Sequence, residues 1–305
     1  MSEDFYIEAY RKLKKAWRFH RVDDYLDDVE LIQMGGIKGT PLIFNPAVEF
    51  RPGEVTVWGG INGHGKSLLT GQIALQMARA GNRIAIISLE MTPGRTLYRM
   101  WRQFLGHKPT PEDSAEEFLS KLKDRMIVLN YLGAIDVEVI LGAVTVAGTP
   151  MSQDGWECKH VFIDNLMRVV SGDGGERTMN DQKNFVQALT EIAQALRIHI
   201  HLVHHVRKGA TEEERIGKFS FKGSGAIVDQ VDNAITIQRN RAKEKKAQEN
   251  SLGYQADVDE PDSWLTVCKQ RNGDWEGEIG LWFDPSGAGY VANPDRKIRW
   301  IIGEK

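Results

Sequence analysis

From Glu54 onward, short apolar runs alternate with stretches in which apolar residues return every three or four positions. The runs Val55 to Trp58, Arg83 to Ser88, Met126 to Leu129, His160 to Ile163 and Ile198 to Val203 predict strands. Between them, Ser67 to Ala80, Gly94 to Leu105, Asp136 to Ala147 and Asn180 to Leu196 predict helices. The last is the clearest, with Phe185, Leu189, Ile192 and Leu196 on one face. Such alternation predicts right-handed crossovers onto a mostly parallel sheet covered on both sides. The tail changes character. Trp264 to Lys269 and Glu278 to Phe283 flank Asn272-Gly273-Asp274, a turn signal that predicts antiparallel strands at the end of the sheet.

Ahead of Gly35 the pattern is different. Tyr6, Tyr10, Leu13 and Trp17 recur at helical spacing with Arg11, Lys12, Lys14 and Lys15 between them, followed by the acids Asp23, Asp24, Asp27 and Asp28. Residues 1–40 are therefore expected to be a helix and linker, a possible subunit-docking element, and residues 41–305 the main domain. An aromatic stripe on one helix must pack on its own domain or on a neighbour, and both options stay open. The polar stretch Arg239 to Asp262, with Arg239, Arg241, Lys243, Lys245 and Lys246, reads as a solvated loop.

Composition narrows the class. At 305 residues with 41% hydrophobic positions, the chain can bury a substantial α/β core. A net charge of −3 excludes a globally basic nucleic-acid coat, though not a local basic patch. Two cysteines exclude a disulfide scaffold and a four-cysteine zinc module, and suit a reducing cytoplasm. No apolar run nears the roughly 20 residues that span a bilayer, so no membrane is expected. The N-terminus has no signal-peptide character.

Gly60-Ile61-Asn62-Gly63-His64-Gly65-Lys66-Ser67 fits G-x-x-x-x-G-K-S/T in full, after a strand and opening a helix. Backbone N–H groups in such a loop converge on phosphate oxygens at a positive helix end. Gly60, Asn62, Gly63, His64, Gly65, Lys66, Ser67 and Leu68 are thus expected to bind the phosphates of ATP or another NTP. Lys66 would reach the β- and γ-phosphates, and the Ser67 hydroxyl would ligate Mg²⁺. Asp164, ending the apolar strand that starts at His160, has the placement of a second metal-organising acid. Glu90, just past the strand ending at Ser88, is a candidate for activating water. His199, His201 and His205 share one strand parity, which raises a metal site, but core or surface histidines fit the flanking apolar residues better.

These motifs, in this order, resemble DnaB-like (superfamily 4) hexameric replicative helicases, closest to the helicase domain of phage helicase-primases and mitochondrial Twinkle. The resemblance is carried by Gly60 to Ser67, Ser88-Leu89-Glu90-Met91, the strand ending at Asp164, and Phe221-Lys222-Gly223-Ser224-Gly225-Ala226. It implies an α/β fold with a RecA-like P-loop ATPase core, a mostly parallel central sheet, antiparallel C-terminal strands and an N-terminal helical linker. It also implies roles. Glu90 matches the family's catalytic glutamate and His205 its γ-phosphate sensor. Lys269 and Arg271 resemble a finger pair acting on a neighbour's ATP, while Arg207, Lys208, Lys218, Lys222 and Gly223 lie in the loop that grips single-stranded DNA.

The implied activity is an ATP-dependent DNA helicase that translocates on single-stranded DNA during replication, as a ring and most naturally a hexamer. A separate primase or polymerase would be a partner. The cytoplasm, of a cell or of a virus's host, is expected ahead of a mitochondrial matrix. Two other readings stay open. One is a RecA/RadA-like recombinase ATPase; the other is a regulatory P-loop ATPase not coupled to DNA.

Overall fold

The computed structural model describes residues 2–15, 21–34, 36–131, 135–150, 157–166, 176–206, 225–249 and 259–293. Its centre is a nine-stranded sheet in the order β11-β10-β9-β8-β3-β7-β6-β4-β5. The strands are β3 (Val55–Gly60), β4 (Ile84–Ser88), β5 (Met126–Val128), β6 (His160–Asp164), β7 (His199–His205), β8 (Asn233–Arg239), β9 (Ser263–Gln270), β10 (Gly277–Asp284) and β11 (Gly289–Val291). From β8 through β5 all neighbours are parallel, and β8, β9, β10 and β11 pair antiparallel. The expected mostly parallel sheet with its antiparallel end forms, and β8, which the sequence pattern did not announce, is a further strand beside β3. Every residue of β3 is buried, which suits a central strand covered on both faces.

One face carries α6 (Val137–Gly148), α7 (Glu176–Leu196) and α8 (Gly225–Gln230), with Ile140, Val144, Phe185, Leu189 and Ile227 packed on Val57, Val161 and Ile200. The other carries α3 (Lys66–Arg79), α4 (Pro93–Leu105) and α5 (Ala115–Leu122), with Leu69, Ile73, Met100 and Phe118 against Trp58, Ile86 and Phe162. Capping sets the helix starts. The side chains of Thr92, Ser114 and Asp136 accept from the backbone N–H of Arg95, Glu117 and Glu138.

The N-terminal helix α1 (Glu3–Lys15) packs on α6 of its own chain, with Tyr6, Tyr10 and Leu13 against the core and Arg11 paired to Glu138. The approach is close. A Cβ at Gly142 would run into the Tyr6 carbonyl. Helix α2 (Leu26–Gln33) leaves Leu26, Val29 and Ile32 exposed. A small hairpin of β1 (Thr40–Leu42) and β2 (Asn45–Phe50) brings Leu42, Val48 and Phe50 onto the α3 face.

One expectation needs correction. The stretch from Arg239 is not simply a solvated loop, because Arg241–Glu249 forms helix α9 and Lys243 is buried, bonded to Glu260 O and Asp262 Oδ1. Arg239, Arg241 and Lys243 pair with acids of the same segment, so polarity there did not mean solvation. His199 and His201 are core histidines, as the flanking apolar residues led us to expect. No metal-binding cluster occurs among the described residues.

Both histidines are hydrogen-bonded within the core, His201 as a link in a buried chain and His199 separately. Trp58 Nε1 donates to His201 Nδ1 at 3.2 Å, so His201 must carry its proton on Nε2, which faces His160 Nδ1 at 3.2 Å. His160 Nε2 then donates to Thr40 Oγ1 at 2.9 Å, tying the hairpin to the sheet. His199 Nδ1 donates to the Arg51 carbonyl at 2.7 Å and its Nε2 accepts from Thr56 Oγ1. Phe162 stacks on His201 at 4.0 Å. Each ring is neutral in this pattern, and burial holds all three pKa values below the ordinary histidine value, that of His199 at about 3.

Because these groups bind protons more weakly folded than unfolded, their contribution is complete above about pH 6.5 and is lost as pH falls. Urea unfolding between pH 7 and 5 should show stability dropping by up to about 1.4 kcal/mol per pH unit for each histidine. A flat profile over that range would contradict the neutral, buried assignment.

Candidate nucleotide site

Parallel pairing puts the carboxyl ends of β3, β4, β6 and β7 along one edge of the sheet. Gly60 is opposite His205, and Ser88 is opposite Asp164. Side chains leaving those ends therefore converge.

The phosphate loop runs from Gly60 into α3. Gly65 has φ +89°, and a Cβ there would also strike the Tyr290 hydroxyl. At Gly60 a Cβ would sit 2.7 Å from the Ile237 carbonyl of the neighbouring strand. His64 is buried, its Nδ1 accepting from Arg239 N at 3.2 Å, so the loop is held from behind by the end of β8. Asn62 and Gly63 are exposed at the loop's tip. Lys66 is buried, and its Nζ donates to Gly60 O at 2.8 Å and Ile61 O at 3.0 Å. Burial lowers its pKa to about 8, against the opposing pull of the Asp164 and Glu90 carboxylates. Ser67 and Leu68 follow in the first turn of α3.

Asp164 ends β6 beside Ser67. Burial raises its pKa, and a hydrogen bond from the Ser67 side chain opposes that rise. Its Oδ1 is buried without a hydrogen-bond partner. A hydroxyl next to a carboxylate with one unused oxygen is a donor set that suits Mg²⁺. Asn165 joins the next two groups. Its Nδ2 donates to Glu90 Oε1 at 2.5 Å and to His205 Nε2 at 2.6 Å, while Glu90 Oε1 and His205 Nε2 are 3.7 Å apart. Burial, then the Lys66 charge, lowers the His205 pKa, in keeping with a neutral ring accepting at Nε2.

Lys66, Ser67, Glu90, Asp164 and His205 thus meet at one place. Lys269 and Arg271 do not join them. They lie at the opposite edge, where Lys269 Nζ donates to the carbonyls of Val228 and Val231 near the end of α8. Arg271 Nη1 donates to Asp232 Oδ1 at 2.9 Å, and the other oxygen of Asp232 accepts from Val55 N at the start of β3. Arg207, Lys208, Lys218, Lys222 and Gly223 lie outside the described residues.

Sequence reading assigned no role to several neighbours. Arg99 of α4 is close enough to Asp164 and Glu90 for both carboxylates to act on its pKa, and it lines the space behind Ser67. Its signal was the stripe Arg95, Arg99 and Arg102 on a helix that begins beside Glu90. A cleft of about 390 Å³ also opens next to the loop, lined among others by Gly65, Leu68, Arg239, Phe283 and Tyr290. That is within the usual range for a small-molecule site.

The family model described as AAA domain matches residues 45–211, more than half of the chain. The chain belongs to the AAA domain family. Two solved structures share its fold. One, described as an ATPase domain, superposes with a TM-score of 0.66 at 16% identity, over 90% of this chain and 99% of that one. The other, a DnaB-like replicative helicase described together with its interactions with primase, gives 0.65 at 16%, over 90% and 67%. The fold is thus that of DnaB-like helicase ATPase domains, as the motifs led us to expect. AAA domain membership, with a complete phosphate loop and acids beside it, makes this chain an ATP hydrolase.

A lysine with a pKa near 8 gives this AAA domain a pH signature. If Lys66 binds phosphate through its charged form, ATP affinity should be level below about pH 8 and fall roughly tenfold per unit above it. Calorimetric titration across about pH 6.5 to 9.5 measures this. Affinity that stays constant to the top of that range would remove Lys66 from phosphate binding.

Proposed function

We propose that this AAA domain is the motor of a replicative DNA helicase, hydrolysing ATP to translocate on single-stranded DNA as a ring of six subunits. The observation that supports it best is the Glu90–Asn165–His205 joint set against Lys66, Ser67 and Asp164 at one sheet edge. Of the two structural neighbours, one is described as an ATPase domain and the other as a replicative helicase that interacts with primase. A primase or polymerase partner for this chain is part of the same proposal.

The residues divide the work. Backbone N–H groups from Gly60 to Leu68 cradle the phosphates, and Lys66 exchanges its loop carbonyls for the β- and γ-oxygens. Ser67 and Asp164 would hold Mg²⁺, which when bound would neutralise charge on those oxygens. Glu90 takes the proton of the attacking water. Asn165 holds Glu90 and His205 at fixed spacing, so that a change at the γ-phosphate reaches both. Lys269 and Arg271 serve the neighbouring subunit's nucleotide, which makes each site composite and requires a head-to-tail assembly, either closed into a ring, as in this reading, or propagated as a filament. Arg207, Lys208, Lys218, Lys222 and Gly223 grip the strand through its phosphates. Helix α1, which packs on α6 of its own chain, acts as the subunit-docking element by exchanging that α6 for a neighbour's.

Steady-state ATP hydrolysis with and without single-stranded DNA, at moderate salt, tests the motor. DNA should stimulate the wild type, and Arg271→Ala should lose about a thousandfold in rate together with the stimulation. Stimulation surviving in Arg271→Ala would remove the finger role and keep the motor. Hydrolysis indifferent to DNA in both proteins would select the regulatory ATPase instead. That reading has one observation in its favour, since Lys269 and Arg271 both have partners in their own chain.

Asn165→Ala should lower kcat about tenfold or more by freeing Glu90 and His205, with the dissociation constant for ATP within about threefold of wild type. Equal loss in both would make Asn165 a binding residue.

A further inference from the structure

The strand-to-helix corner at Arg239 holds one face of the cleft beside the phosphate loop, and its charges are arranged around a single carboxylate. Arg239 Nε donates to Glu244 Oε1 at 2.7 Å and Nη2 reaches the same oxygen at 2.6 Å. Arg241 Nη1 donates to Glu244 Oε2 at 2.7 Å. Two guanidinium groups therefore share both oxygens of Glu244, which lies in the first turn of α9. The corner itself is rigid. Asn240 Oδ1 caps Lys243 N at 3.0 Å, and Asn240 Nδ2 donates to Glu260 Oε1 and to the Pro261 carbonyl. Lys243 crosses to Asp262, whose Oδ2 accepts from Phe283 N on β10.

This clasp joins the two sides of the cleft. Arg239 stands at one side, where its Nη1 also approaches the Gly63 carbonyl at 3.4 Å. Leu68, Phe283 and Pro285 supply apolar surface around it, and the Tyr290 hydroxyl sits against Gly65. Phe283 is exposed and lines the cleft, its ring set at 60° to that of Tyr290. A planar cation and an aromatic edge next to a phosphate loop suit a heterocyclic base on a triphosphate. A free Arg239 side chain would sample many rotamers and lose that freedom on binding. Glu244 takes hold of it beforehand.

We propose that Glu244 is a positioning residue for the nucleoside end of the substrate, holding the Arg239 guanidinium in place beside the base. The proposal rests on the nucleotide-hydrolase reading of the same site. Its consequence is selective: the base loses contact when Glu244 is removed, and the phosphates do not.

The test compares wild type, Glu244→Ala, Glu244→Gln and Arg239→Ala in the full chain. ATP turnover gives KM and kcat, and competition by inorganic triphosphate with Mg²⁺ reads the phosphate loop alone. Glu244→Ala should raise KM for ATP roughly five- to tenfold, with kcat within about twofold and the triphosphate inhibition constant unchanged. Glu244→Gln, which keeps one acceptor oxygen, should fall between. Adding Glu244→Ala to Arg239→Ala should have no further effect on KM, because the first residue acts through the second. The proposal is overturned if KM is unmoved in Glu244→Ala, if triphosphate weakens as much as ATP, or if the two substitutions add. A wild type bound by neither ATP nor inorganic triphosphate would instead remove the nucleotide reading itself.

Discussion

Register in the parallel half of the sheet is the constraint from which the site follows. Gly60 sits opposite His205 and Ser88 opposite Asp164, so the loop, the metal-type acid, the candidate base and the histidine all leave the sheet at one level. A slip of one residue in any of these strands would turn its side chains to the other face. Apolar burial on both sides forbids that slip. Val57, Val161 and Ile200 belong to one core, and Trp58, Phe162 and Val203 to the other. Core packing and chemistry are thus fixed by the same alternation.

Charge is balanced across the same edge before any nucleotide arrives. Lys66 leans on two carbonyls of its own loop while Asp164 and Glu90 favour its charged form. Arg99 faces the same two acids. The opposing pKa directions of Lys66 and Asp164 have one cause, burial, which penalises whichever form is charged. An anionic phosphate with its counter-ion relieves both penalties together. That is why a lysine with a lowered pKa is compatible with binding polyanions.

Much of this was legible in the sequence because it is local. The phosphate loop is a contiguous pattern, and strands with apolar runs of four to six residues declared themselves, within a residue or two of their observed ends. The parts that stayed hidden depend on distant pairs. Asn165 gains its role only from Glu90 and His205, 75 and 40 positions away. The clasp at Glu244 was read as solvated because its partners are all charged, and sequence does not distinguish charges facing water from charges facing each other. The histidine chain alternates with apolar residues, as ligands and core side chains both do. Only the contacts with Trp58, Thr40 and the Arg51 carbonyl separate the two.

The basic pair at the end of β9 shows how placement constrains use. Lys269 satisfies carbonyls at the carboxyl end of α8, where the helix dipole favours a cation. Arg271 is paired to Asp232, a buried carboxylate that also holds the first N–H of the phosphate-loop strand. For either residue to act on a second subunit, these bonds must be exchanged for others. Leaving Asp232 buried without its cation would be costly, so such a move requires a replacement charge or a shift of α8 as well.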